Sequence, residues 1–335
     1  MVAARRRYTS SPCYVGVVAV LALGNTPVRS GPTLTEPISV HLKRFAEGFD
    51  RQFSNFLESV KDTPASLVEA MRYSALAPGK RLRPYLVTEC CRVVGGPTEA
   101  ALPAAAAIEC VHAFSLIHDD LPAMDDADLR RGRPTSHVKF GEALAILAGD
   151  ALLALAFELL ATYGVGNAHP AGEDANRVVA LVHELSQATG RQGMIAGQVA
   201  DVEGETQPTE RQRVEYIHRY KTARLLEAAC QMGVICGGGT LNQMEALGVY
   251  GLHLGRAFQI ADDLLDVTAT TQQMGKSIGR DTGAGKQTYP ACVGMEESRA
   301  TARQAAEAAV AALAPFGAEA HALRELATYV VERTH

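Results

Sequence analysis

The stretch Asp119-Asp120-Leu121-Pro122-Ala123-Met124-Asp125-Asp126-Ala127-Asp128-Leu129-Arg130-Arg131-Gly132 decides how the rest of the chain is read. Its five carboxylates repel one another, and any of them held away from water needs a cation beside it. Aspartate oxygens are hard ligands. Mg²⁺ keeps much of its water and typically takes one or two carboxylates together with substrate phosphates. The closing arginines suit such phosphates, because a guanidinium offers two parallel hydrogen bonds and stays charged at any relevant pH. On a continuous helix Asp119 and Asp125 would lie roughly 240° apart and could not share an ion. Pro122 lacks an N–H and disfavours helical geometry at Leu121, so it supplies a break that lets the chain loop out and return Asp125 toward Asp119. An isolated acid cluster is more often a solvated turn at a helix end. A second cluster decides against that reading here.

Asp262-Asp263-Leu264-Leu265-Asp266 follows Ala257-Phe258-Gln259-Ile260-Ala261 and precedes Val267. Asp262 and Asp266 are four residues apart and share a helix face, and carboxylates interrupting an apolar helical run are poorly explained as surface. With these two motifs, DDxxxxD and DDxxD, the chain resembles the trans-polyprenyl diphosphate synthases, in particular the short-chain, bacterial-type members that make farnesyl diphosphate. The resemblance implies that the motifs face each other across a cavity in a helical bundle and hold a cluster of Mg²⁺ ions, about three, with Mn²⁺ able to substitute. Metal ligation falls on Asp119, Asp120, Asp125, Asp262 and Asp266.

Other stretches gain meaning from that frame. Gly79-Lys80-Arg81-Leu82-Arg83-Pro84 on its own reads as a solvated basic helix start; the resemblance makes Lys80 and Arg83 binders of the diphosphate of isopentenyl diphosphate. His112 precedes Asp119 by seven residues, about 20° away around a helix. A lone histidine in an apolar helix is usually a satisfied core residue, but the resemblance gives His112 a part in binding isopentenyl diphosphate. It assigns Arg130 to the allylic diphosphate and Arg131 to isopentenyl diphosphate, and both arginines also answer the local acids. Lys221 and Thr222 in Tyr220-Lys221-Thr222-Ala223, Gln259, and Lys276 in a glycine-rich stretch match allylic-side residues of the family, as Gln198 and Asp201 match its pattern. The setting of Lys276 predicts a flap that closes over the site.

From Ile38 onward apolar residues recur at three- and four-residue spacing, in segments such as 40–61, 65–77, 99–118, 141–163, 175–196, 209–236, 242–267, 299–313 and 318–331, with Gly/Pro/Asn breaks between them. The expected fold is all-α: one large bundle of about ten helices around a central cavity, spanning 38–335 as a single catalytic domain. At 335 residues and 47% hydrophobic content the chain can bury a large core. A net charge of −5 argues against a nucleic-acid surface and leaves an anionic substrate in need of bridging metal. The seven cysteines show no CxxC or zinc spacing and read as reduced core thiols, which points to the cytoplasm. Residues 1–37 carry Arg5, Arg6 and Arg7, an apolar run from Tyr14 to Leu23 and no acid before Glu36. That outline fits a signal or transit peptide, or an unstructured extension, and the run is too short to span a membrane.

The resemblance implies a reaction. Ions on Asp119, Asp125 and Asp262, supported by Arg130 and Lys221, neutralise departing pyrophosphate; the allylic cation from dimethylallyl or geranyl diphosphate alkylates isopentenyl diphosphate, and a proton is lost. It also implies a homodimer. Phe114 and Ser115 lie about one turn before Asp119, and an aromatic residue at the first of these positions, with the long first motif, is associated in the family with stopping at the fifteen-carbon farnesyl product. Geranylgeranyl diphosphate is the alternative product. A terpene cyclase would need no GKRLRP stretch and would favour an aromatic cavity, against 6% aromatics and no Trp here. A non-catalytic subunit would be expected to have lost one motif, and both are intact.

Overall fold

The structure is a computed structural model that describes residues 36–58, 62–161, 173–268 and 288–333. Its helices are α1 (Ile38–Glu58), α2 (Ala65–Ala75), α3 (Leu82–Val93), α4 (Leu102–Asp119), α5 (Ser136–Phe140), α6 (Glu142–Ala161), α7 (Glu173–Thr189), α8 (Met194–Gly204), α9 (Arg211–Ile217), α10 (Arg224–Gly237), α11 (Leu241–Thr268), α12 (Tyr289–Val293), α13 (Met295–Ala312) and α14 (His321–Glu332). The extension 1–37, but for Glu36 and Pro37, and Lys276 lie outside the described residues, as do 283–285 of the glycine-rich stretch.

Helix α4 is the axis of the bundle. Twelve of its 18 residues are buried, on every side of the helix, and the small run Ala104–Ala107 lets α3, α6 and α10 pack around it. A helix that is apolar all round belongs inside. α1 instead buries one stripe, Ile38, Leu42, Ala46, Phe49, Phe53, Phe56 and Leu57, at the three- and four-residue spacing expected of a surface helix. Each of its buried phenylalanines stabilises the packed state by about 1.5–3 kcal/mol. A smaller apolar cluster of Val214, Ile260, Tyr289 and Ala302 ties α9, α11, α12 and α13 together near the second acidic motif.

Most of the expected helical segments appear, with instructive departures. The segment 175–196 ends at Thr189, where Gly190 and Gly193 close a turn before α8 begins. The segment 209–236 is three pieces: α9, a π-helical turn over His218–Ala223, and α10. Helix α3, which begins within the GKRLRP stretch, is a full helix of 12 residues. The one sheet among the described residues is a short antiparallel hairpin, β1 (Leu129–Arg130) with β2 (Arg133–Pro134), its register pairing Arg130 with Arg133. Cys90, Cys91, Cys110, Cys230 and Cys236 are buried free thiols and Cys292 is half-buried.

Candidate active site

Helix α4 stops at Asp119, and the chain turns back on itself. The Asp125 N–H donates to the Asp119 carbonyl at 2.8 Å, Met124 N–H to Leu121 at 2.9 Å, and Ala127 N–H to Asp120 at 3.1 Å. Asp125 is thereby returned to the end of the helix that carries Asp119. Asp120 is paired within the protein. It is buried, and the Arg130 guanidinium donates to it three times, Nε to Oδ1 at 2.9 Å and Oδ2 at 2.8 Å, and Nη2 to Oδ1 at 2.8 Å. Both carboxylate oxygens accept from the arginine. The hairpin sets this geometry: Arg131 and Gly132 at its tip have φ of 54° and 74°, the left-handed pair that a two-residue turn of matching twist requires. Arg131 is then aimed back at the GKRLRP stretch, where its Nη1 donates to the Pro78 carbonyl at 2.5 Å and its guanidinium lies over Gly79.

Within that stretch the three cations divide. Arg81 sits at φ 47° ahead of α3, is 5% exposed, and donates to Glu109 of α4 and Asp50 of α1, both at 2.6 Å. It is structural. Arg83 is compensated less closely: its Nε finds no partner among the described residues, and burial pushes its pKa down to about 10, with Arg131 acting in the same direction against Glu109 and Asp262. Lys80 is lowered by desolvation and by Arg333, against Asp262. Burial holds His112 well below the ordinary histidine range, reinforced by Arg83, Arg131, Arg130 and Arg81. Arg83, His112 and Arg131 thus lie within electrostatic reach of one another, and Lys80 and Arg83 both within reach of Asp262, so three separated stretches converge on one basic cluster.

The second acidic motif lies on α11, with Asp262 within electrostatic reach of Lys80 and Arg83 of that cluster. Asp262 accepts a short hydrogen bond from Arg333, which follows α14, is 4% exposed at its side chain and lies over the Phe258 ring at 4.2 Å. Asp263 is buried and accepts from Gln259 Nε2 at 3.0 Å, from His218 Nε2 at 3.0 Å and from the Tyr289 N–H at 2.8 Å. Gln259 in turn accepts from the Thr222 hydroxyl at 2.7 Å, and Lys221 Nζ donates to the buried Asp201 at 2.6 Å. Asp266 is half-buried one turn beyond Asp262. On α4, Phe114 is buried and meets His118 edge to face at 5.6 Å, while Ser115 is half-buried and donates to the His112 carbonyl at 2.9 Å.

The sequence model of the family described as polyprenyl synthetase matches residues 64–323. The chain belongs to that family. Among relatives of this polyprenyl synthetase, geranylgeranyl pyrophosphate synthase 11, chloroplastic, of Arabidopsis thaliana is 47% identical over 274 residues, 81% of this chain and 75% of the plant protein. A dimethylallyltranstransferase of Fischerella ambigua (strain UTEX 1903) is 45% identical over 273 residues, 81% of this chain and 77% of its own. The apo crystal structure of an FPP/GFPP synthase from Zymomonas mobilis superposes with a TM-score of 0.77 at 38% identity, covering 88% of this chain and 98% of that one. The helical bundle is the fold of this family, and the synthase is a prenyltransferase.

The donor set suits the metal that the family implies. No group of three metal-binding side chains is preassembled among the described residues of the synthase. Mg²⁺ does not need one, since one or two carboxylates, phosphates and water complete its shell. Asp119, Asp125, Asp262 and Asp266 are all hard oxygen donors at the helix ends and faces where such an ion would sit, and Mn²⁺ shares that preference. Sequence reasoning passed over Arg333, Glu109, Asp50 and His218. Glu109 left a signal, a lone acid in the run Ala104-Ala105-Ala106-Ala107-Ile108-Glu109-Cys110-Val111.

Proposed function

We propose that this prenyltransferase condenses isopentenyl diphosphate with dimethylallyl and geranyl diphosphate, residues 38–335 forming its catalytic domain, and releases farnesyl diphosphate as its main product. The observation that carries the reading is the basic cluster beside the acidic motifs. Arg83 is half-buried with an unpartnered Nε, and His112 stands among four arginines. Gathering like charges partly away from water is costly, and an anion bound among them offsets that cost.

Each side chain then has a task. Lys80, Arg83, His112 and Arg131 hold the diphosphate of isopentenyl diphosphate and fix its double bond. Lys221, Thr222, Gln259 and Arg130 face the allylic diphosphate, with Lys276 as a further allylic-side cation. Asp119, Asp125, Asp262 and Asp266 hold Mg²⁺, which when bound neutralises charge on the departing pyrophosphate. Asp120 keeps Arg130 in place. Phe114 and the apolar wall of α4 keep water from the allylic cation.

Purified protein incubated with isopentenyl and dimethylallyl diphosphate should form prenyl product with Mg²⁺ and none with excess chelator. Absent product with Mg²⁺, or undiminished product in chelator, overturns the reading. Geranylgeranyl diphosphate is the second reading of the product, supported by the names of the plant relatives; chromatography of the dephosphorylated alcohols separates C15 from C20. The chloroplastic location printed for those relatives supports a transit peptide in residues 1–37 as the alternative to a cytoplasmic enzyme, and the amino terminus of protein recovered from the native source distinguishes the two.

A further inference from the structure

Lys221 and Thr222 stand on a π-helical turn, His218–Ala223, between α9 and α10. Such a turn holds one residue too many for the α pattern, has poorer packing than an α-helix, and tends to mark functional positions. Two sets of contacts keep it open. Polar contacts tie both of its ends to one buried carboxylate: His218, the first residue, meets Asp263 Oδ2 at 3.0 Å, and Thr222, the fifth, reaches Asp263 Oδ1 through Gln259, with links of 2.7 and 3.0 Å. The same Asp263 Oδ2 accepts the Tyr289 N–H at 2.8 Å, so the start of α12 is pinned to the turn as well. The backbone of the turn meanwhile rests on two glycines of neighbouring helices. A Cβ at Gly197 of α8 would lie 2.1 Å from Lys221 N and 2.6 Å from its Cα, and a Cβ at Gly255 of α11 would lie 2.5 Å from Ala223 Cα. No side chain fits either place without moving that backbone.

We propose that Asp263, Gly197 and Gly255 are positioning residues that hold this turn open, and that the held turn, beyond the presence of Lys221 and Thr222, sets how tightly the allylic diphosphate is gripped. The inference rests on the prenyltransferase reading and separates Asp263 from Asp262 and Asp266, its neighbours in one motif. Both oxygens of Asp263 are committed to protein donors inside the bundle. Relaxation of the turn to regular α-helix would remove one residue from the bulge and rotate one side of it by about 100° against the other. Lys221 would leave Asp201, or Thr222 would leave Gln259.

The test uses the full chain and the variants Gly197→Ala, Asp263→Asn and Asp262→Asn. Steady-state kinetics give KM for geranyl and isopentenyl diphosphate and the half-saturating Mg²⁺ concentration; calorimetry gives the affinity for inorganic pyrophosphate in the presence of Mg²⁺. In Gly197→Ala and Asp263→Asn, KM for geranyl diphosphate and the pyrophosphate Kd should rise about tenfold, the range seen when a partner that orients a ligand-binding group is lost. KM for isopentenyl diphosphate and the Mg²⁺ requirement should stay within about twofold of the unaltered protein, whereas Asp262→Asn should raise the Mg²⁺ requirement. Unchanged allylic KM, equal rises for both substrates, or a raised Mg²⁺ requirement in Asp263→Asn overturns the inference. Asp263→Asn conserves volume and decides the matter if Gly197→Ala does not fold. An unaltered protein that makes no prenyl product defeats the parent reading instead, and the pyrophosphate affinities then still decide whether the turn is held for anion binding.

Discussion

At the scale of the residue, identical side chains in one motif do different work because their partners come from different parts of the chain. Asp119 and Asp125 were legible from local spacing and a proline. The pairing of Asp120 with Arg130 was not, since nothing in the spacing told which of two adjacent acids the arginine would take. The partners of Arg81, Asp262 and Asp263 lie 28, 71 and 45 residues away, at Glu109, Arg333 and His218, distances at which a single sequence specifies no contact. These pairings shape what substitution does. Asp119→Ala and Asp262→Ala should each lower turnover by about a hundredfold or more, the scale of losing an electrostatic element that acts on the transition state. The second also strands a buried guanidinium, that of Arg333. Because the Asp262 side chain is 43% exposed, the loss should be nearer the value of a surface pair, about 1 kcal/mol, or about 2 °C of melting temperature. Circular dichroism melts beside steady-state kinetics check both; loss of the helical signal in either variant would assign that carboxylate a structural role. His112 adds a pH dependence. Its folded pKa is depressed below the unfolded value of about 6.5, so below that pH the unfolded chain binds a proton that the folded chain refuses, and stability falls as pH falls. Urea midpoints at pH 7.5 and 5.5 should differ less in His112→Gln than in the unaltered protein, and equal differences would refute the assignment.

At the scale of the element, periodicity located most helices but not their interruptions. The apolar pattern of 209–236 runs straight through the π turn, because the extra residue is accommodated by Gly197, Gly255 and Asp263 on other helices and leaves no mark in the segment itself. The hairpin escaped notice for a related reason: two-residue strands are too short to alternate, and only Arg131-Gly132 at its tip carried a turn signal. Helix α4 shows the opposite case, an element whose uniform apolarity announces a central position. That position bears on product length. Phe114 is 6% exposed, packs into the core and meets the His118 ring, a braced side chain about 7.5 Å along the axis from Asp119. The half-buried Ser115 adjoins it. If the product is farnesyl diphosphate as proposed, Phe114→Ala should lengthen it from C15 toward C20. Removing a buried phenylalanine costs about 3–5 kcal/mol where the cavity stays empty, so the melting temperature should fall as well. Alcohols from the variant that remain C15 would place the floor of the cavity on another helix.

At the scale of the whole molecule, the all-α class was legible because hydrophobic content and helical spacing agree along nearly the entire catalytic segment, whereas assembly depends on a surface that no spacing reveals. Helix α6 offers that surface. It is strongly apolar, with exposed carboxylates only at Glu142, Asp150 and Glu158, yet less than half of its most apolar stretch is buried within the chain. Ala145, Ala148, Leu152, Leu155, Ala156, Leu159 and Leu160 face the core, while Ile146 and Leu147 are 41% and 56% exposed and Val138 of the preceding α5 is 50% exposed. A helix with large apolar residues left on its outer face is suited to a second partner that covers them. A second copy of the chain can cover it through a two-fold axis, where each patch meets its own counterpart and every substitution acts twice. The protein should therefore run as a homodimer of twice the 35.6 kDa chain mass. Light scattering at assay concentration tests this directly, and a monomeric mass refutes it. Leu147→Glu would bring two carboxylates together across such an axis and should yield a helical monomer, whereas a variant that remains dimeric would move the interface away from α6.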